Sequence, residues 1–155
     1  MLKSLADETF DLIICHNVLE YADSREAIVR EFCRLLKHKG KLSIVKHNRF
    51  GRVMQMVVLM NNFDTASKIL DGENSSSANF GVINYYDDNE IIDWCNGFSL
   101  ANIYGIRTFW DLQQNQEIQK TSEWQQKMID IEMRVSQIDE FRNIAFFHHL
   151  IFNKI

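Results

Sequence analysis

Two apolar runs joined by one amphipathic stretch constrain this chain more than anything else in it. Residues 10–15, FDLIIC, are nearly all apolar, as expected of a parallel strand covered on both faces. Asp23 then starts a helix, with Glu26 three residues later as the partner in a capping box. Ile28, Phe32, Leu35 and Leu36 follow at helical spacing, and Gly40 supplies a left-handed stop. Residues 41–48, KLSIVKHN, read as a second strand. Strand, helix and strand in so short a span make a right-handed βαβ unit. In open α/β sheets ligands bind beyond the carboxyl ends of the strands. His16 and Asn17 follow the first strand directly, so they stand where ligand-contacting residues belong. On spacing alone, a histidine there could equally be a structural or merely exposed side chain.

The rest of the chain reads as further α/β elements. Residues 54–70 and 88–96 are helical in pattern, the second stopped by Gly97, and residues 98–109 are strand-like. Trp124, Met128, Ile131, Val135 and Ile138 form a helical stripe expected to cover the sheet, and residues 144–152 close as a last strand. A helix between the last two strands suggests that they end the sheet as a hairpin-like antiparallel pair. Residues 71–81, DGENSSSANFG, read as one surface loop. No repeat or linker divides the chain, so residues 1–155 are expected to form a single domain.

Composition narrows the function classes. The net charge of −4 gives no overall positive field to draw in nucleic acid or an anionic membrane. Three cysteines, widely spaced and without a CxxC, argue against a disulfide framework or a zinc site and favour a cytoplasmic location. No apolar run approaches the length of a membrane span, and the first residues lack a secretory pattern. His148 and His149 cannot grip one metal ion together, because adjacent strand residues point to opposite faces. His149 reads as a packing residue.

The stretch FDLIICHNVLEYADSREAIVREFCRLLKHKGKLSIV resembles the fourth strand, following helix and fifth strand of a class I S-adenosylmethionine-dependent methyltransferase. The segments HNRFGRVMQMVVLMNNFD and GIRTFWDL are similar to the bacterial tRNA 5-carboxymethoxyuridine methyltransferases. That resemblance implies the carboxyl-terminal half of a Rossmann-like sheet, strands four to seven with helices on both faces. The first three strands and the Gly-rich loop that approaches the cofactor would be missing, since the six glycines are scattered and no GxG occurs. The 155 residues would then be a partial methyltransferase domain that alone is inactive and binds the cofactor weakly or not at all.

The resemblance implies S-adenosylmethionine as cofactor, with His16 matching the family's cofactor-contacting histidine and Asn17 beside it. It places Arg107, Asn48, Arg52, Asn62 and Asp64 on segments that bind the methyl acceptor, here the carboxylate of a modified tRNA wobble uridine. Arg107 is the first choice as a carboxylate clamp, because a guanidinium fork matches a carboxylate with two hydrogen bonds. Asn48, Arg52, Asn62 and Asp64 could each equally serve as caps or solvated side chains. No catalytic acid or base is expected. Two departures bear on this: the tRNA enzymes carry a basic tract where this chain has LDGENSSSANFGV, and the usual L-L-K-P-G-G has become LLKHKG. A small-molecule methyltransferase, or a non-catalytic remnant or half-subunit completed by another chain, are the alternatives. The partner in that case is the missing amino-terminal half, or a second copy meeting the open edge of the strand at residues 10–15.

Overall fold

The computed structural model of the protein describes residues 2–77 and 80–155. In chain order these form β1 (Phe10–His16), α1 (Arg25–Leu35), β2 (Leu36–His47), α2 (Arg49–Val58), α3 (Phe63–Leu70), β3 (Ser75–Ser77) and β4 (Gly81–Ile83). There follow α4 (Glu90–Trp94), β5 (Phe98–Ile106), α5 (Gln116–Gln119), α6 (Ser122–Val135), α7 (Asp139–Arg142) and β6 (Phe147–Lys154). Four long strands make one sheet in the order β1-β2-β6-β5, while β3, inside the segment expected to be a plain loop, pairs with β4, which begins at the last residue of that segment. β1 and β2 are parallel, with Ile14 opposite Ser43 and His16 opposite Val45. β6 runs against β5, since Ile155 N–H donates to Gly97 O at 3.0 Å and Ser99 Oγ donates to Asn153 O at 3.5 Å. The sheet is therefore mixed, with β1 and β5 at its edges.

The βαβ unit is present with a shifted junction. α1 ends at Leu35, and Leu36 is already paired with Phe10, so the strand begins five residues before Lys41. Leu12 then lies opposite Lys41, which leaves residues 37–40 bulging out, with Lys39 at φ 64°. Gly40 serves that bulge rather than a helix stop. A Cβ there would approach Lys37 O to 2.8 Å and Asp11 O to 3.3 Å. At the other end of α1 the capping box is not made: the N-cap Ser24 makes no side-chain capping bond, and Glu26 pairs with Arg30 at 2.5 Å.

Further along, the single helix expected over residues 54–70 is two. The chain turns through Asn61 at φ 48°, and Asn62 Oδ1 caps α3 by accepting from Thr65 N–H at 3.0 Å. The stripe from Trp124 to Ile138 is less buried than its spacing suggests. Only Val135 is fully covered, and Ile138 lies beyond α6 as the N-cap of α7. Trp124 packs edge-on against Trp110, ring centroids 4.9 Å apart.

The chain forms two compact units, Met1–Lys46 with Ser77–Ile103 and His149–Ile155, and His47–Ser76 with Tyr104–His148. In the first, Val29 and Phe32 of α1 and Ile91 of α4 pack on Leu42, Ile44, Leu150 and Phe152 of the sheet. The alternate side chains of β1 are not so covered: Leu12 is 51% and Ile14 62% exposed. In the second unit the start of α2 is bound to the segment before β6. Asn48 caps α2 through Phe50 N–H at 3.3 Å, and its Nδ2 donates to Asn143 O and Ala145 O, each at 2.8 Å. Among the described residues no helix is long and apolar enough to cross a membrane.

Candidate functional site

The first unit sets a polar cluster at the carboxyl end of β1. His16 is the last residue of the strand, and Asn17 leaves it in the left-handed region at φ 52°, where asparagine is tolerated. Asn17 N–H donates to Val45 O at 2.7 Å, so the turn is bound to β2 as the strand ends. Both side chains are exposed. His16 Nε2 lies 2.9 Å from Ser43 Oγ, and the same oxygen lies 2.8 Å from Nε2 of His149 on β6. His149 is thus part of a polar bridge as well as a packing residue. Burial, and then the charge of His16, hold its pKa below the usual histidine value.

That shift has a testable sign. A histidine whose folded pKa is depressed takes a proton more readily in the unfolded chain, so its contribution is present above pH 6.5 and lost as pH falls. Urea midpoints are expected to drop on acidification below that value, and His149→Gln should remove part of the slope. An unchanged slope in the variant would show that His149 is not the group responsible.

Behind this surface lies a buried charged layer. Glu20 sits 1% exposed in the 3-10 turn Leu19–Tyr21, and its carbonyl accepts from Asn84 N–H at 3.0 Å. Lys46, 4% exposed, pairs with Asp88 at 2.8 Å, donates to Tyr86 O and lies 4.4 Å above the Tyr86 ring. Arg25 covers the same ring at 5.3 Å. Burial, then the Glu20 charge, push the Tyr86 phenol well above its ordinary pKa. Glu20 points inward, so the polar groups here that fit a cofactor are the exposed His16 and Asn17. Neither Lys46 nor Ser43 stood out in the sequence, because each sits inside an apolar strand and meets partners distant in the chain.

The second unit holds the five residues assigned to the acceptor, and it brings only some of them together. Arg107 has φ 61°, pairs with Asp111, and lies 5.6 Å from the rings of both Phe146 and Phe147. It lines a narrow cleft with Gln55, Thr108, Asp111, Met54 and Phe146, enclosing about 10 Å³. Arg52 reaches toward that cleft indirectly, donating to Gln55 Oε1 and to Ser76 O at 2.9 Å. Asn48 is buried as the cap of α2, while Asn62 and Asp64 line a separate shallow depression with Met60 and Phe63.

Sequence reasoning missed Glu132. Its carboxylate accepts from three successive backbone N–H groups, Thr108 at 2.9 Å, Phe109 at 2.7 Å and Trp110 at 3.0 Å. This fixes the turn that starts at Arg107. Glu132→Ala strands those donors and is expected to cost about 1.5–3 kcal/mol, the range for hydrogen bonds to a charged group. Chemical denaturation reads the loss, and a variant as stable as the parent would mean the turn holds without the carboxylate.

Residues 1–44 match a methyltransferase domain family. Over 77 residues the chain is 34% identical to an uncharacterized protein of Methanocaldococcus jannaschii, covering 50% of this chain and 33% of that one. Among solved structures, a SAM-dependent methyltransferase of Methanosarcina mazei superposes with a TM-score of 0.51 at 12% identity, over 98% of this chain and 62% of that one. An S-adenosylmethionine-dependent methyltransferase of Listeria monocytogenes gives 0.50 at 10% identity, over 99% and 66%. The chain thus spans a third of the curated relative and just under two thirds of these structures. It has the mixed α/β fold of the class I S-adenosylmethionine-dependent methyltransferases.

Proposed function

We propose that this chain supplies part of a methyltransferase that moves the methyl group of S-adenosylmethionine to a carboxylate acceptor. The observation that carries the reading is the exposed pair His16 and Asn17 at the carboxyl end of β1, in a segment that matches a methyltransferase domain. A sulfonium methyl is already activated, so transfer needs the nucleophile held in line with water excluded. A carboxylate is ionised at neutral pH, so no general base is called for. Arg107 is the group suited to orient it. Asp111 accepts from one N–H of its Nη2, which leaves the other edge of the guanidinium for a second carboxylate. Arg52 of α2 is a further cation of this unit; Asn48 and Asn62 cap α2 and α3, and Asp64 stands in the first turn of α3.

The finer reading is the carboxylate of a modified tRNA wobble uridine, supported by the GIRTFWDL stretch that contains Arg107 and Asp111. The neutral-to-acidic tract around residues 70–82 offers few phosphate contacts and keeps a small carboxylate as the alternative. Titration with S-adenosylhomocysteine, followed by NMR at millimolar ligand, should move the His16 and Asn17 signals first. His16→Ala should abolish those shifts, and perturbation confined to other residues would remove the cofactor reading. In an active methyltransferase containing these residues, Arg107→Ala should lower kcat/KM for the acceptor by about tenfold or more. An unchanged value refutes the clamp.

A second reading has its own support. β1 is an edge strand, and Leu12 and Ile14 are exposed on it. Such an edge accepts another strand, whether from further sequence of the same protein or from a second copy. Sedimentation equilibrium of the 155 residues should show self-association or aggregation, relieved by Ile14→Lys; a stable cooperative monomer at micromolar concentration would argue against it.

A further inference from the structure

In the first unit one hydroxyl stands between two imidazoles, and its single proton cannot serve both. Ser43 Oγ is 2.9 Å from His16 Nε2 and 2.8 Å from His149 Nε2, and the two rings meet edge to face with centroids 5.5 Å apart. A serine hydroxyl offers one proton and two lone pairs, while a neutral imidazole has one N–H and one bare nitrogen. With both rings neutral, Ser43 donates to one Nε2 and accepts N–H from the other. The rings therefore hold opposite tautomers. When His149 presents a bare Nε2, His16 carries its proton on Nε2 and keeps a lone pair on Nδ1. When His149 carries its proton on Nε2, Ser43 turns about and His16 Nδ1 becomes a donor.

We propose that Ser43 and His149 are positioning residues for His16, the Ser43 hydroxyl passing hydrogen-bond polarity from His149 to the nitrogen that His16 offers a ligand. The proposal rests on the reading of His16 as a cofactor contact. An acceptor at Nδ1 suits the ammonium or a ribose hydroxyl of S-adenosylmethionine, and a donor suits its carboxylate. The relay is the link by which the state of His149 reaches His16. On β2, Lys41 shares the face of Ser43 two residues away, and on β1 and β6 the flanking residues of that face are Ile14 and Ile151. The acid of β1, Asp11, alternates to the other face and pairs with Lys37 at 2.9 Å. β5, beside β6, carries no Asp, Glu, Lys, Arg or His.

Imidazole ¹⁵N NMR of the full chain, at slightly alkaline pH and without ligand, tests the relay itself. The wild type should show opposite tautomers at His16 and His149. Ser43→Ala should uncouple the rings, the exposed His16 taking the Nε2–H form favoured by a solvated histidine side chain, and Ser43→Thr should keep the coupling. Identical tautomers in the wild type, or His16 ¹⁵N shifts unmoved in Ser43→Ala, overturn the proposal. If Ser43→Ala does not fold, as judged from its backbone amide spectrum, His149→Gln tests the same link through a change in the His16 tautomer. A second arm adds millimolar S-adenosylhomocysteine. Ser43→Ala should weaken binding about fivefold, the loss expected for one hydrogen bond, and Ser43→Thr should restore it. Opposed tautomers with His16 nitrogens unmoved by ligand would overturn the cofactor reading while confirming the relay. Ligand shifts at His16 with equal affinity in Ser43→Ala would overturn the positioning role.

Discussion

Gly51→Ala is expected to destabilise the second unit by about 3 kcal/mol or more, beyond the usual cost of an overpacked site. In an exposed helix the same change would help, by roughly 1 kcal/mol, because alanine loses less entropy than glycine. Here the sign reverses. A Cβ on Gly51 would run into Ala145 O and lie 2.7 Å from Ala145 C and 2.8 Å from Phe146 Cα, all backbone atoms. None can rotate away, and the segment cannot retreat, because Asn48 holds it from the same helix by two side-chain bonds and by Asn48 N–H to Phe146 O at 3.1 Å. Equilibrium denaturation checks this, and a Gly51→Ala protein as stable as its parent would mean α2 stands off further than the structure has it.

The Lys46–Asp88 pair yields the second large effect. Asp88→Ala leaves a buried ammonium without its carboxylate, a change that typically costs 3–5 kcal/mol. The lower end, about 3 kcal/mol, is expected, because the Asp88 side chain is 21% exposed and water reaches it. The same asymmetry ranks the partners. Lys46→Met removes the buried cation and leaves behind the better-hydrated anion, so it should cost less than Asp88→Ala. Since whole domains are stable by only about 5–15 kcal/mol, either loss is readily measured. The reverse order of the two variants would contradict the burial assigned to Lys46.

Where the chain bears local signals, the sequence could be read. Residues 10–15 form a strand because their apolar run is continuous, and His16 falls at the strand's end as its position requires. The α1–β2 junction misled because Gly40 has two possible uses, a helix stop or a close backbone approach, and only the pairing of Phe10 with Leu36 decides between them. Ser43 and His149 are 106 residues apart, and nothing in either neighbourhood announces the other. Arg107 was legible as a candidate from its stretch, whereas the three amides that Glu132 holds depend on where α6 lies.

The sheet order also governs how the protein can be made. β6 occupies an interior place between β2 and β5, although it is the strand that leaves the ribosome after all the others. During translation β2 therefore waits with one side open while more than a hundred residues are added, and β5 emerges with no finished neighbour to join. Pairings this distant in sequence form slowly, and unpaired strands invite wrong partners meanwhile. A nascent chain stalled before Phe147 cannot assemble the four-stranded sheet, so the sheet closes only once β6 has been made.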